Sequence, residues 1–287
     1  MGALICALLW GSAFPAIKYA YRLMGEHSLG DRIAFAGVRF TLAGIVLLLF
    51  VKSPLARFRE APVGRLLWIA LAQTVLQYLF FYWGLSLVTG VLAAIIIATG
   101  SFWWVFFAPL FNKNDTITSR QFMALVLGFA GVCIAVWQPG GGEGRTSLFG
   151  VGLLVCASVC GAVAALMARQ IKGQAPTALV TGFALFCGGS VLIGSSAFRL
   201  IPLWEQAGPA LIPITLYLVF VSASAFSLWY FLVTIYDVAE LSGYRFFIPV
   251  AGVIESALLI PGEQVGWTVF AGGFVVLLSV RLLEKLK

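Results

Sequence analysis

Apolar runs separated by short polar breaks divide the chain into ten stretches, at about 2–22, 33–51, 65–87, 91–111, 119–138, 147–169, 176–198, 209–232, 240–260 and 265–284. Each approaches the roughly 20 residues that a helix needs to cross a hydrocarbon core at about 1.5 Å per residue. Two of the breaks rest on length. Residues 66–111 carry no charged side chain, yet their 46 residues exceed two crossings, so a turn must interrupt them, and Thr89-Gly90 is the best place for it. Asp237 and Val238 mark the equivalent turn later in the chain.

That equivalence comes from a weak internal repeat. Residues 89–115 (TGVLAAIIIATGSFWWVFFAPLFNKND) register without a gap on 237–263 (DVAELSGYRFFIPVAGVIESALLIPGE), setting Asp115 against Glu263. Residues 2–18 likewise lie on 152–168, matching Gly2 with Gly152, Cys6 with Cys156, Ala7 with Ala157 and Gly11 with Gly161. Each half holds five stretches. Five is odd, so a second copy starts on the opposite side of the bilayer. Inverted repeats are how many secondary transporters build one site that opens to either side. The expected fold is an all-α integral membrane protein, with ten transmembrane helices as two inverted five-helix repeats around a central cavity. The first repeat is residues 1–138, the connecting loop 139–146 and the second repeat 147–287.

Composition agrees. The chain is 61% hydrophobic and 10% charged, where soluble domains carry about 25% charged residues. No stretch is long enough for a separate soluble domain. The net charge of +7 does not imply nucleic acid, because the cations flank apolar runs rather than forming a patch. The first apolar run begins at once, without a basic leader region, so no cleavable signal peptide is expected. Five cysteines (Cys6, Cys133, Cys156, Cys160, Cys187) all fall within apolar runs and read as small packing residues. Lysines and arginines orient the chain: with the N-terminus inside, eleven lie on the cytoplasmic side and five (Lys18, Arg22, Arg32, Arg145, Arg199) outside. This bias sets both termini in the cytoplasm, and the expected location is a bacterial plasma (inner) membrane.

The segments LLWGSAFPAIKY (8–19) and FAGVRFTLAG (35–44), with spans ending FNKND (111–115) and PGE (261–263), resemble the EamA-type transporters of the drug/metabolite transporter superfamily. The resemblance covers essentially the whole chain. It implies a central cavity lined by helices 1–4 and 6–9, with 5 and 10 packed outside, and export or exchange of small metabolites, often amino acids. The chain departs from the family pattern at Ser101, where a proline is common, and at Glu255, where an aliphatic residue is usual.

Ionisable residues inside spans come first as candidates, because each is costly in hydrocarbon. Arg39 lies about six residues into span 2, hence roughly 9 Å deep; Glu255 lies at a similar depth in span 9, and Lys18 sits near the outer end of span 1. Glu255 is either a proton acceptor or one half of a permanent pair with Arg39 or Lys18. Arg245, one turn into span 9, is expected to snorkel to water.

Polar and aromatic residues near mid-span form the candidate substrate site. On span 3, Gln73, Gln77 and Tyr78 share roughly one face. Thr99, Ser101 and Trp104 lie on span 4; Ser222, Ser224, Ser227 and Tyr230 on span 8; Tyr244 opens span 9, and Trp10 adjoins Gly11 in span 1. Such a set makes an aromatic-walled pocket with a few hydrogen-bonding groups. Trp68 and Trp137 read as interface anchors. Gly128 with Gly131, and Gly188-Gly189, read as close helix packing.

No catalytic or metal site is expected. The sole histidine, His27, lies in an outer loop, and no HExxH, paired intramembrane aspartates or cysteine-ligand spacing occurs. A Ser–Lys dyad on Lys18 would leave the repeat unexplained, and a scramblase or channel would need a continuous polar stripe. The PGGGEG run (139–144) is not a phosphate loop, and nothing resembles a nucleotide-binding motif. The expected partners are the lipid bilayer, a small-molecule substrate and protons as a candidate coupling ion, with no cofactor, no nucleic acid, and a monomer or homodimer. The expected substrate is an amino acid or related hydrophobic zwitterion; the alternatives are a cationic or drug-like amphiphile held by aromatic faces and Glu255, and, behind it, an intramembrane enzyme.

Overall fold

The structure, a computed structural model, describes residues 1–25, 28–88, 90–135, 137, 147–259 and 266–285. His27, Thr89, the 139–146 loop, and Glu263 with the rest of the PGE segment lie outside the described residues. Among those described, the regular structure is entirely helical. Helices α1 (Gly2–Met24) and α2 (Leu29–Leu49) are followed by a short α3 (Pro54–Glu60). Next comes one continuous rod made of α4 (Val63–Ala70), a π-helical turn (Leu71–Leu76) and α5 (Gln77–Leu85). After α6 (Gly90–Ala98), α7 (Gly100–Phe111) and α8 (Ser119–Ala135) come α9 (Leu148–Gln170), α10 (Thr177–Ser196), a short α11 (Leu200–Ala207) and α12 (Leu211–Val233). The last are α13 (Val238–Tyr244), α14 (Phe247–Leu259) and α15 (Trp267–Lys285).

Helix therefore occupies each expected stretch, with spans 4 and 9 broken into two pieces. Five continuous stretches are long and apolar enough to cross a membrane: Gly2–Met24, Leu29–Leu49, Val63–Leu85, Leu148–Gln170 and Thr177–Val233, the last running through α10, α11 and α12. Ile95–Phe111, Ser119–Ala135 and Trp267–Leu283 are shorter apolar helices. Large apolar side chains such as Phe106, Phe220, Phe270 and Phe274 face outward, as a hydrocarbon surrounding permits. Trp68 and Trp137 are also exposed.

Local chemistry explains the helix ends and irregularities. Gly25 stops α1 at φ 61°, a conformation that strains residues with a Cβ. Ser28 and Asp31 then form a capping box at the start of α2: the Ser28 N–H donates to Asp31 Oδ2 at 2.6 Å, and the Asp31 N–H donates to Ser28 Oγ at 3.3 Å. Asp31 also receives Arg199 through both oxygens at 2.8 Å, tying the α2 start to the turn before α11. In the π turn the Gln77 N–H reaches the Ala72 carbonyl, five residues back. In span 9 the missing N–H of Pro249 leaves the Arg245 carbonyl without its i+4 donor; the Ile248 N–H takes that oxygen instead at 3.1 Å. The helix breaks there.

Packing relies on small residues that let backbones approach. The most extensive contacts are α2 along α10 and α8 along α15, followed by α1 with α12 and with α14, then α9 with α5 and with α7. A Cβ on Gly44 would strike the Phe186 backbone nitrogen, and one on Gly37 would stand 2.8 Å from the Ile193 nitrogen. Gly131 and Gly272 meet backbone to backbone between α8 and α15, while Gly11 seats α1 on Ala251 of α14. Gly188 is filled by the Thr74 side chain, and Gly189 abuts Thr41. On the face carrying Lys113 and Lys172, Arg169 at the end of α9 pairs with Asp115 after α7.

Candidate functional site

A continuous series of rings crosses the bundle. Trp104 of α7 lies 5.7 Å from Trp229 of α12, which lies 5.5 Å from Trp10 of α1. Trp10 meets Phe226 at 5.3 Å, and Phe226 meets Phe40 of α2 at 6.5 Å. Phe40 packs on Tyr78 of α5 at 4.3 Å, and Tyr78 lies 6.1 Å from Tyr82. Edge-on and tilted rings at these spacings are favourable aromatic pairs. The expected residues Trp10, Trp104 and Tyr78 all belong to this series, whereas Phe226, Trp229, Phe40 and Tyr82 were not singled out from sequence. Their apolar context hid them; for Phe226 and Trp229 the signal was the aromatic density of span 8.

Span 3 delivers its polar residues through the π turn. Gln73 is buried at 1% exposure, and neither its amide oxygen nor its nitrogen has a hydrogen-bond partner. One turn on, the Gln77 amide lies over Gly161 of α9, where a Cβ would stand 2.9 Å from Oε1. The pair therefore splits: Gln77 packs at the α9 contact, and Gln73 keeps unused donors and acceptors. Trp104 is fully buried, with its indole N–H also unpartnered.

The hydroxyls divide by role. Thr99 Oγ1 donates to Ile96 O at 2.5 Å within its own helix break. Ser101 Oγ donates to the Ser242 carbonyl at 2.9 Å, joining the two broken spans. Ser222 Oγ accepts from Arg39 Nε at 2.8 Å. Ser227 is half-buried and Tyr230 buried. Tyr230 lies within electrostatic reach of Tyr78 and Arg245, and it lines a cleft of about 50 Å³ with Ala168, Lys172 and Thr234. Tyr244 is half-buried, with its ring 6.3 Å from Phe247. A second cleft of about 170 Å³ lies between the end of α7 and the start of α13, bordered by Val105, Asp115, Gln121 and Asp237. Both clefts open on the face that the charge count assigns to the cytoplasm.

The charged candidates do not converge. Arg39 is 3% exposed; its guanidinium stacks 4.6 Å from the Phe40 ring centroid, and its Nη1 has no partner. Among the described residues it is not ion-paired with Glu255, whose Oε2 is buried and unpartnered. Lys18 is exposed on α1. Arg245 departs from the snorkelling expectation. It is half-buried and reaches into the bundle, with Nη2 3.0 Å from where a Cβ on Gly100 would stand. It sits at the break between α13 and α14, one turn before Pro249, which was the sequence signal for that break.

Comparison with known proteins fits this architecture. Residues 1–137 match the family model described as the EamA-like transporter family. An uncharacterized transporter of Archaeoglobus fulgidus is 19% identical over 278 residues, covering 96% of this chain and 95% of that protein. A second uncharacterized transporter of the same organism is 29% identical over 194 residues, 65% of this chain and 54% of its own length. A protein crystal structure superposes with a TM-score of 0.74 at 17% identity, over 99% of this chain and 96% of the other, which establishes the shared fold. Apolar helices, ring-lined interior and matched relatives agree: the chain is a multi-pass membrane protein whose residues 1–137 are similar to the EamA-like transporter family.

Proposed function

We propose that this protein is a secondary transporter that moves a small organic metabolite, an amino acid or related hydrophobic zwitterion, across the plasma membrane by alternating access, chiefly outward. Ten membrane helices, five in residues 1–138 and five in 147–287, are inverted around a shared central chamber, with both termini cytoplasmic. The observation that carries this reading is the reciprocity of the helix contacts. Pair α1 with α9, α2 with α10, α4–α5 with α12, α6–α7 with α13–α14, and α8 with α15. The α2–α10 and α8–α15 contacts are then their own images, α1 on α12 answers α9 on α5, and α1 on α14 answers α9 on α7. Two copies of one five-helix unit related by a two-fold axis require this pattern.

The two broken spans occupy equivalent places in that scheme, and discontinuous helices in matching positions are the best pointer to a transporter's substrate site. The ring series from Trp104 to Tyr82 supplies apolar walls, while Gln73 and the Trp104 indole supply unfilled hydrogen-bonding groups. With no nucleotide-binding motif in the sequence, an ion or solute gradient is the energy source.

Flux of labelled amino acids into sealed proteoliposomes tests the reading. Saturable, protein-dependent accumulation of chemically unchanged solute is expected. Absence of saturable flux across amino acids, nucleosides and quaternary amines, or recovery of a chemically altered solute, would overturn it.

A further inference from the structure

The described acids are already committed where they meet cations: Asp31 to Arg199, Asp115 to Arg169 and Glu60 to Arg57. Arg39 and Arg245 are left inside the bundle with no carboxylate within 4 Å among the described residues. A buried guanidinium without a counter-charge is strongly unfavourable unless something supplies one. Glu255 does not serve Arg245: the two form no ion pair among the described residues and stand on opposite sides of the break between α13 and α14.

Their surroundings sharpen the point. Arg245 stands against Gly100, the first residue of α7, so a cation faces the positive end of a half-helix that runs away from it. Like charges meet there, and glycine leaves no side chain between them. Arg245 and Tyr78 are both half-buried, so neither side chain is sealed off by its neighbours. Tyr230 is within electrostatic reach of Arg245 and Tyr78, and Tyr78 of Arg39. At the far end Arg39 spends Nε on Ser222, lies over Phe40, and keeps a buried Nη1 unfilled.

We infer that the transported substrate is an organic anion or zwitterion bound through a carboxylate, which Arg245 receives at the α7 terminus and Arg39 attracts from the other side of Tyr78 and Tyr230. A guanidinium offers a planar fork that matches a carboxylate, and the neighbouring rings suit an apolar remainder of the substrate. This rests on the transporter reading and narrows it to substrates with a negatively charged group.

The test measures thermal stabilisation of the purified full-length protein and flux in proteoliposomes. The probes are phenylalanine, leucine and their keto acids, the corresponding amides and decarboxylated amines, and inorganic phosphate. Carboxylates are expected to stabilise and to be carried. The amides and amines should bind at least tenfold more weakly, and Arg245→Met should lose that difference while Arg245→Lys keeps part of it; the ligand-free melting point reports whether each variant folds. The inference fails if amides or amines match their acids, if phosphate alone binds, or if no carboxylate binds. Saturable flux of amines without flux of acids would sink this inference and leave transport standing, whereas no saturable flux of any solute would sink both.

Discussion

Ser101 Oγ donates to the carbonyl oxygen of Ser242 at 2.9 Å, with Ser101 itself 1% exposed. The bond joins the first turn of α7 to α13 just before its break, so two interrupted helices are fastened where their backbones are least regular. The Ser242 carbonyl sits at the end of α13, where its backbone donor is the Arg245 N–H at 3.2 Å and Ser101 supplies a second. Replacing Ser101 by alanine leaves that oxygen buried without this donor. A loss of about 1 kcal/mol in unfolding free energy is expected, read from the thermal midpoint of the purified protein. Ser101→Thr, which keeps the hydroxyl, should lose less.

Arg39 makes a second case for local satisfaction. Among the described residues Ser222 Oγ is its only side-chain acceptor within hydrogen-bond distance, at 2.8 Å, and Nη1 is already unfilled. Ser222→Ala would leave a further charged donor unpaired, where hydrogen bonds to charged groups are worth about 1.5–3 kcal/mol. Destabilisation near 2 kcal/mol is expected by chemical unfolding, partly restored in Ser222→Thr. An effect under about 0.5 kcal/mol would mean that Arg39 readily finds another acceptor, and the energetic role given to Ser222 would be wrong.

Helix spacing gives a third prediction. A Cβ at Gly44 collides with the backbone of Phe186, and backbone cannot move aside as a flexible side chain can. Gly44→Val forces α2 and α10 apart along the most extensive contact in the bundle. Overpacking typically costs about 1–3 kcal/mol, occasionally more, and the upper end is expected here because backbone is the obstacle. Gly152, which has nothing within 4 Å of a Cβ position, is the control: Gly152→Val should leave folding and thermal midpoint within about 0.5 kcal/mol of the parent. Size-exclusion profiles and melting curves of the two variants distinguish them.

These cases mark what can be read along a chain and what cannot. The helical stretches were legible because a run of apolar residues is a one-dimensional signal, and the glycine faces because small residues at helix spacing imply close approach. Partnerships were not. Arg39 and Glu255 lie at similar expected depths, which made a pair plausible, but depth says nothing about which way each helix is rotated. Arg39 meets Ser222 of α12 instead. The π turn in span 3 was invisible for a related reason: Leu71–Leu76 has no proline or glycine, and only tertiary packing selects the wider turn. It splits the face shared by Gln73 and Gln77, burying the first and laying the second on Gly161. Arg245 reads as snorkelling because it lies one turn inside span 9, but a position along the chain does not give the direction of a side chain, and its Nη2 stands beside Gly100 of α7.

Glu255 carries the remaining prediction. Its Oε2 is buried with no hydrogen-bond partner, so the side chain is not consumed in a structural pair with Arg39. A carboxyl group so placed in a membrane helix is by default a functional group, and a proton is the smallest cargo it can take. If it couples transport to the proton gradient, Glu255→Gln should abolish the response of flux to an imposed pH difference while leaving exchange at equal pH intact, since glutamine mimics the protonated acid. If it instead receives a cationic substrate, the same variant should abolish flux of the cation at every pH. Counterflow at equal pH separates the two: retained exchange with lost gradient response supports coupling, whereas unchanged response to the gradient in Glu255→Gln removes this residue from the proton path.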